Sequence, residues 1–546
     1  MRPRRFAVLG AVPLLALMAG QGMATSAEEG DPVRVTAATR VTGEDLSPSR
    51  TYGAPHLAVN PDNPNVIVAA TPEMRTRACR FMRSVDAGRT WKLMDAFPSP
   101  ESYPFCFHTS GTSTVSPVQF GRDGTVYYAL TGWDSGDVGV GAETNYTNYS
   151  VLLSRSANLG DTWDPVVVRN ARGKVGAGQA ESNRPITGLA VDRKSAAQDI
   201  VYVGWNQNFS QATPAVASQS TVATSTDGGR TFGEPVKVVG DYWKTVANKP
   251  DAEKWGGSSP SLTVADDGTL YVVFTASATG QPAGSQVNSL MLGKSTDQGK
   301  TFAVSVIAPP SGFYQAPTVI AWSPEGGSTG TLHITYEDKV AEPALGDRDV
   351  FTRRSTDGGQ TWSEGKQLND DAVSTTEGGH TQTNPAISVA PNGRVDAVWW
   401  DFRNDNGLFV NDVYYSFSED NGVTWSKNVR VSDRSIDRRL GVWSNGFDMR
   451  MPVGVASTDR LAVFAWDDTR NADAATPIQD IYSSVVQHEA LGSGSSDAMR
   501  YAIAGLIGLS VVGLVLLVVS MASRRGRPQT GPALEPEASR GKVGSS

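Results

Sequence analysis

Short apolar runs recur along most of the chain, as in YVVFT (residues 271–275) and VDAVWW (residues 395–400), separated by Gly-, Asn- and Asp-rich turns. Runs of this length, rich in β-branched and aromatic residues, predict strands buried on one or both faces. One eight-residue phrase recurs between them: Ser84–Trp91 (SVDAGRTW), Ser225–Phe232 (STDGGRTF), Ser295–Phe302 (STDQGKTF), Ser355–Trp362 (STDGGQTW) and Ser418–Trp425 (SEDNGVTW), with a degenerate copy at Ser156–Trp163 (SANLGDTW). The copies start 60 to 72 residues apart, the size of a four-stranded unit with its loops. The phrase predicts a hairpin turn: Ser and Asp side chains bond the turn backbone, Gly supplies positive φ, and Thr-Trp or Thr-Phe opens the next strand.

A second landmark precedes each copy. Pro55, Pro117, Pro185, Pro260, Pro317, Pro385 and Pro452 each open a short apolar run, and proline is tolerated at the first residue of a strand. Seven openings against six turns leave the last unit, with strands at Val453–Val455, Leu461–Trp466 and Asp480–Val486, one strand short. The segment Pro32–Val41 (PVRVTAATRV) is similar to the fourth strands at Pro235–Val239 and Lys427–Val431 and can supply it. Pairing it with the last unit removes an exposed sheet edge. The expectation is an all-β, seven-bladed β-propeller closed by an N-terminal strand.

Composition narrows the picture further. A chain of 546 residues exceeds the length at which a single core stops growing, about 250 to 300 residues, so the core is divided between domains or repeats. Forty-eight Lys and Arg against 56 Asp and Glu give a net charge of −8 without a long basic block, which argues against a nucleic-acid partner. Residues 1–27, with Arg2, Arg4 and Arg5 before the apolar run Phe6–Ala19, read as a signal peptide. Tyr501–Met521 is long and apolar enough to cross a bilayer as one transmembrane helix, after a 491–500 linker. Arg524, Arg525 and Arg527 follow it and put the 522–546 tail in the cytoplasm. The expected product is a single-pass type I protein of the cell membrane with its propeller, residues 28–490, outside the cell. In that oxidising compartment the two cysteines, Cys79 before the third strand of unit one and Cys106 in the next connection, are expected to form a disulfide.

The repeated phrase resembles the Asp-box, or BNR repeat, of the sialidase superfamily and of related propellers such as sortilin-type receptors. The resemblance spans residues 32–490 and implies that the boxes lie between third and fourth strands, opposite the face that carries a site. Fold follows from it more directly than chemistry does. Side chains from the loops between strands two and three, and from the connections between units, are then expected to converge on the channel mouth.

Two of those loops share a pattern: Trp399-x-Asp401-x-Arg403 with Asp412-Val413-Tyr414, and Trp466-x-Asp468-x-Arg470 with Asp480-Ile481-Tyr482. An Arg between carboxylates either grips a glycan or pins a loop, and repetition in neighbouring units favours pinning. Arg403, Asp405, Arg438, Arg439, Asp468 and Asp480 are the candidate binding residues. Arg450-Met451-Pro452 resembles the Arg-Ile-Pro motif whose Arg belongs to a carboxylate-gripping triad in sialidases. By the same resemblance Arg470 follows as a second Arg and Asp473 as acid/base, and Tyr314 with Glu377 could form the Tyr–Glu nucleophile pair, as could Tyr336 with Glu337, or Tyr242. The motif lies in the last unit instead of the first, and seven units stand where catalytic family domains have six. The five histidines show no metal-ligand spacing; acid-rich loops offer oxygen ligands for Ca²⁺ but no defined calcium register, so no cofactor is expected. Two functions are carried forward: a surface module binding a glycan or a cell-surface protein, and a membrane-tethered exo-α-sialidase or related glycoside hydrolase.

Overall fold

A computed structural model describes residues 33–43, 47, 50–73, 75–76, 78–100, 105–106, 117–133, 150–170, 182–195, 197–209, 216–249, 254–278, 288–311, 315–338, 348–372, 380–405, 407–441, 452–473, 475–476 and 478–488. They fall in one compact unit that ends at His488. Seven antiparallel sheets follow one another along the chain. Their innermost strands are His56–Val59, Val118–Phe120, Ser182–Asp192, Trp255–Val264, Gln315–Ser323, Gln382–Val389 and Gly454–Ser457. Each touches the next, and the seventh touches the first, which closes the ring.

Arg34–Val35 and Thr39–Arg40 supply the outer strand of blade 7 and pair antiparallel with its third strand, Asp480–Gln487, in the registers Val35↔Val486 and Arg40↔Tyr482. The N-terminal closing strand is therefore present, as two short segments. The prolines do not always open the first strands. In blades 3 to 6 these strands start upstream, and the register breaks between Asn183 and Ile186, Ser258 and Ser261, Gln315 and Val319, and Thr383 and Ala386. Proline has no N–H to give the ladder, so the strand bulges there and resumes beyond it.

The six turn motifs share one hydrogen-bond pattern. In blade 3 the Asp227 carboxylate accepts from the Thr231 amide (2.9 Å) and hydroxyl (2.5 Å), and Ser225 Oγ accepts from the Gly229 amide (2.8 Å). In the degenerate copy Asn158 Oδ1 accepts from the Thr162 amide at 2.9 Å, so an amide can replace the acid. Each box packs on the preceding blade: a Cβ on Gly229 (φ 76°) would lie 2.8 Å from Leu153 and 3.1 Å from Tyr127 of blade 2. Glycine is required there both for its positive φ and for the close approach. The hydrophobic core is correspondingly divided into clusters at the interfaces between blades, with Trp205, Trp399, Trp400 and Trp466 fully buried.

Blade 7 has no box. His488 follows its third strand and lies against blade 6, its Nε2 2.9 Å from the Tyr415 hydroxyl and its ring edge-on to Phe417. Buried Asp396 and Arg394 complete this junction, and Arg394 donates to the carbonyls of Thr458, Asp459 and Leu461.

Cys79 lies within the third strand of blade 1, not in the loop before it; it is fully buried, and no described cysteine is free. Among the described residues no helix is long and apolar enough to cross a membrane; residues 1–27 and Tyr501–Met521 lie outside them.

Candidate functional site

The ends of second strands, the starts of third strands and the connections between blades meet on the face opposite the boxes. Along a strand, residues two apart share a face. Trp399 Nε1 therefore reaches Asp401 (3.0 Å), and the chain turns so that Arg403 points back at the same carboxylate through Nε (2.9 Å) and Nη2 (2.7 Å). Arg403 also donates to Asp370 from the preceding connection (2.9 Å), and its guanidinium lies 4.0 Å from the Tyr414 ring centre. Blade 7 repeats this arrangement. Trp466 Nε1 donates to Asp468 (3.0 Å), Arg470 Nη2 donates to Asp468 (2.8 Å) and to Asp433 (2.7 Å), and the guanidinium lies 4.0 Å from the Tyr482 ring centre. Burial disfavours the charge of Arg470, but the hydrogen bonds it donates to Asp468 and Asp433 outweigh it and raise its pKa. Both arginines tie a loop to the connection entering their own blade.

Arg438 and Arg439, expected together on a basic rim, separate. Arg438 is buried, bonded to Asp467 and to Asn411 Oδ1 (2.9 Å), with its guanidinium 4.3 Å from the Trp400 ring centre. Burial raises the pKa of Asp467, against the pull of Arg438. Arg439 is exposed and pairs with Asp437 at 2.7 Å. Asp480 is fully buried and receives Arg50 (2.6 Å), Thr42 Oγ1 (2.9 Å) and Asn471 Nδ2 (2.8 Å).

The remaining candidates have other roles or lie outside the description. Asp405 accepts the amides of Gly407, Phe409 and Val410, which together outweigh its desolvation and lower its pKa. Asp473 is exposed and caps its own turn through the amides of Ala475 and Thr476 (2.8 and 2.7 Å). Tyr336 and Glu337 do not form a pair. The Tyr336 hydroxyl accepts from Arg353 Nε (3.0 Å), whereas Glu337, one residue on and so on the opposite face, accepts from Thr383 Oγ1 and the Asn384 amide (both 2.7 Å). Burial pushes the Glu337 carboxyl up. Tyr242 sits on a short helix, Tyr242–Thr245, edge-on to Trp243. Tyr314, Glu377 and Arg450 lie outside the described residues, and among those described no group of three or more His, Cys, Asp or Glu is placed to hold a metal ion.

Sequence reasoning missed Arg50 and Asp467. Arg50 lies before the first strand of blade 1 yet pairs with Asp480 of blade 7, a contact that no local pattern encodes.

Residues 243–441 match the family model described as "BNR repeat-like domain". Among solved structures, the chain is similar to a protein of unknown function from Dyadobacter fermentans DSM 18053 (14% identity over 84% of this chain and 99% of that one, TM-score 0.46). It is also similar to the GH93 α-L-arabinofuranosidase of Fusarium graminearum in complex with arabinobiose (14%, 70% and 98%, 0.43). A third is the Hadza microbial sialidase Hz136 (13%, 76% and 73%, 0.41). No curated protein matches. The six box turns recur around a closed, seven-bladed β-propeller, and residues 243–441 of it are similar to BNR repeats.

Proposed function

We propose that the protein is a surface-tethered, non-catalytic propeller whose loops opposite the boxes bind a glycan or a cell-surface protein. One observation carries this reading: Arg403, Arg438 and Arg470 each already face a buried internal carboxylate, at Asp401, Asp467 and Asp468, which leaves Arg439 as the exposed one of the four. An arginine neutralised in this way fixes backbone and has little left for a ligand carboxylate. The acid assigned by resemblance, Asp473, is a turn cap. The signal-peptide pattern at 1–27 and the apolar run Tyr501–Met521 support display of residues 28–490 outside the cell, on a single membrane anchor.

In that compartment a Cys79–Cys106 disulfide would join blade 1 to the strand Phe105–Cys106, which pairs with the second strand of blade 2. Unreduced peptide mapping is expected to recover the two cysteines in one linked species; two separate thiol peptides would exclude it.

The functional test is a glycan microarray probed with the full chain in detergent micelles. Retention of particular glycans, recovered chemically unchanged, is the expected result. Trimming of the bound glycans would overturn the reading in favour of a hydrolase built around Arg450.

A further inference from the structure

The innermost strands also line a cavity of about 760 Å³ at the box end of the channel, walled by strands of several blades and by the turns at Asn60–Asn65 and Thr458–Leu461. These turns join first strands to second strands, which in an antiparallel blade places them at the same end as the turns between third and fourth strands. The cavity therefore opens on the face opposite the loops discussed above. Its volume lies within the usual range of small-molecule sites, about 300 to 1,000 Å³.

The wall has a particular chemistry. Trp322 is half-buried, packed against the core cluster between blades 4 and 5 and fixed by an Nε1–H bond to the Thr329 carbonyl at 3.0 Å, so the aromatic residue it adds to the cavity wall is rigidly held. Gln119, Thr263 and Ser388, from blades 2, 4 and 6, are half-buried in the same wall, and no described residue hydrogen-bonds their side chains. The charged side chains in the lining are Asp459 and Arg460, neighbours of opposite sign on an exposed turn. That turn is held from behind by the three carbonyl bonds of Arg394, whose own charge is matched by Asp396 at 2.9 Å. A flat apolar surface, a set of amide and hydroxyl groups and no net charge suit a ligand with a C–H face and hydroxyl edges. The pinned turn keeps the cost of ordering the rim low.

We propose that this cavity is a second binding site, for a short neutral oligosaccharide, independent of the loops on the far face. A ligand bearing a carboxylate would meet no uncompensated cation among the described lining residues.

The test is calorimetric titration of the full chain in detergent micelles with maltotriose, cellotriose, mannotriose, xylotriose and arabinotriose, with 3′-sialyllactose as the anionic comparison. At least one neutral trisaccharide is expected to bind. Gln119→Leu and Trp322→Leu are each expected to weaken it about tenfold. Gln119 bears little on folding, so that variant decides the matter if Trp322→Leu lowers the melting temperature. Absence of binding by every neutral probe up to about 10 mM, or binding that Gln119→Leu leaves unchanged, would overturn the proposal and leave the channel holding only water.

Discussion

Arg403 and Arg470 occupy the same environment one blade apart, each stacked on a Tyr ring and bonded to an Asp two positions earlier. Removing such a cation strands a buried carboxylate, which costs more than the pair itself contributes. Arg470→Ala is expected to lower unfolding free energy by about 2 to 4 kcal/mol, since Asp468 has 1% side-chain exposure. Adding Asp468→Asn should restore part of the loss. Denaturant titration of the single and double variants checks this, and additive losses would show that the two groups do not act as a pair. The role of these residues was legible because the same words occur twice, and a repeated constellation points to architecture. Arg438 and Arg439 show where legibility stops. Two adjacent arginines read alike, and only Asp467 on the following blade decides which one turns inward.

The box turns were readable to the level of individual hydrogen bonds, because Ser, Asp, Gly and Thr act within eight residues of one another. The strand starts were read less well. In blades 3 to 6 proline marked a bulge within the first strand instead of its start, because the segments upstream of the bulges depend on pairing with the neighbouring strand. The closing strand was legible through its likeness to other fourth strands. Val35 has 1% exposure in the cluster shared by blades 6 and 7. A charge there would be buried without a partner, so Val35→Asp should cost roughly 3 kcal/mol or more. Amide exchange in Asp480–Gln487 should accelerate in this variant; unchanged protection would mean that the N-terminal segment does not hold the blade.

Acid response belongs to the ring as a unit. Burial lowers the pKa values of His333 and His488 to about 4, so both are neutral in the folded protein at pH 7. Unfolded, they bind protons from about pH 6.5 downward. Their stabilising contribution is therefore complete above pH 6.5 and is lost as pH falls towards 4, by roughly 3 kcal/mol for fully buried His333. The box acids continue the trend. Asp297 is lowered to about 2 by the hydroxyl and amide of Thr301, and Asp227 and Asp357 reach about 2 because hydrogen bonds from Thr231 and Thr361 outweigh their desolvation. A group with a depressed carboxyl pKa stabilises fully above its unfolded value, about 3.9, and loses that effect as pH falls through 2. Urea midpoints should fall from pH 7 to pH 4 and again below it, and His333→Gln should flatten the upper segment. A midpoint that rises on acidification would contradict this.

The number of blades was legible from the six box turns together with the seven proline-led strand openings. The channel cavity was not, since its wall takes short runs from the innermost strands of several blades that no single sequence window contains. The proposed binding role rests on one claim, that Arg403, Arg438 and Arg470 are spent inside the protein. Release of fluorophore from a fluorogenic sialoside by the full chain, beside Arg450→Ala, tests that claim most directly. The account predicts no turnover by either protein; turnover that disappears in Arg450→Ala would contradict it.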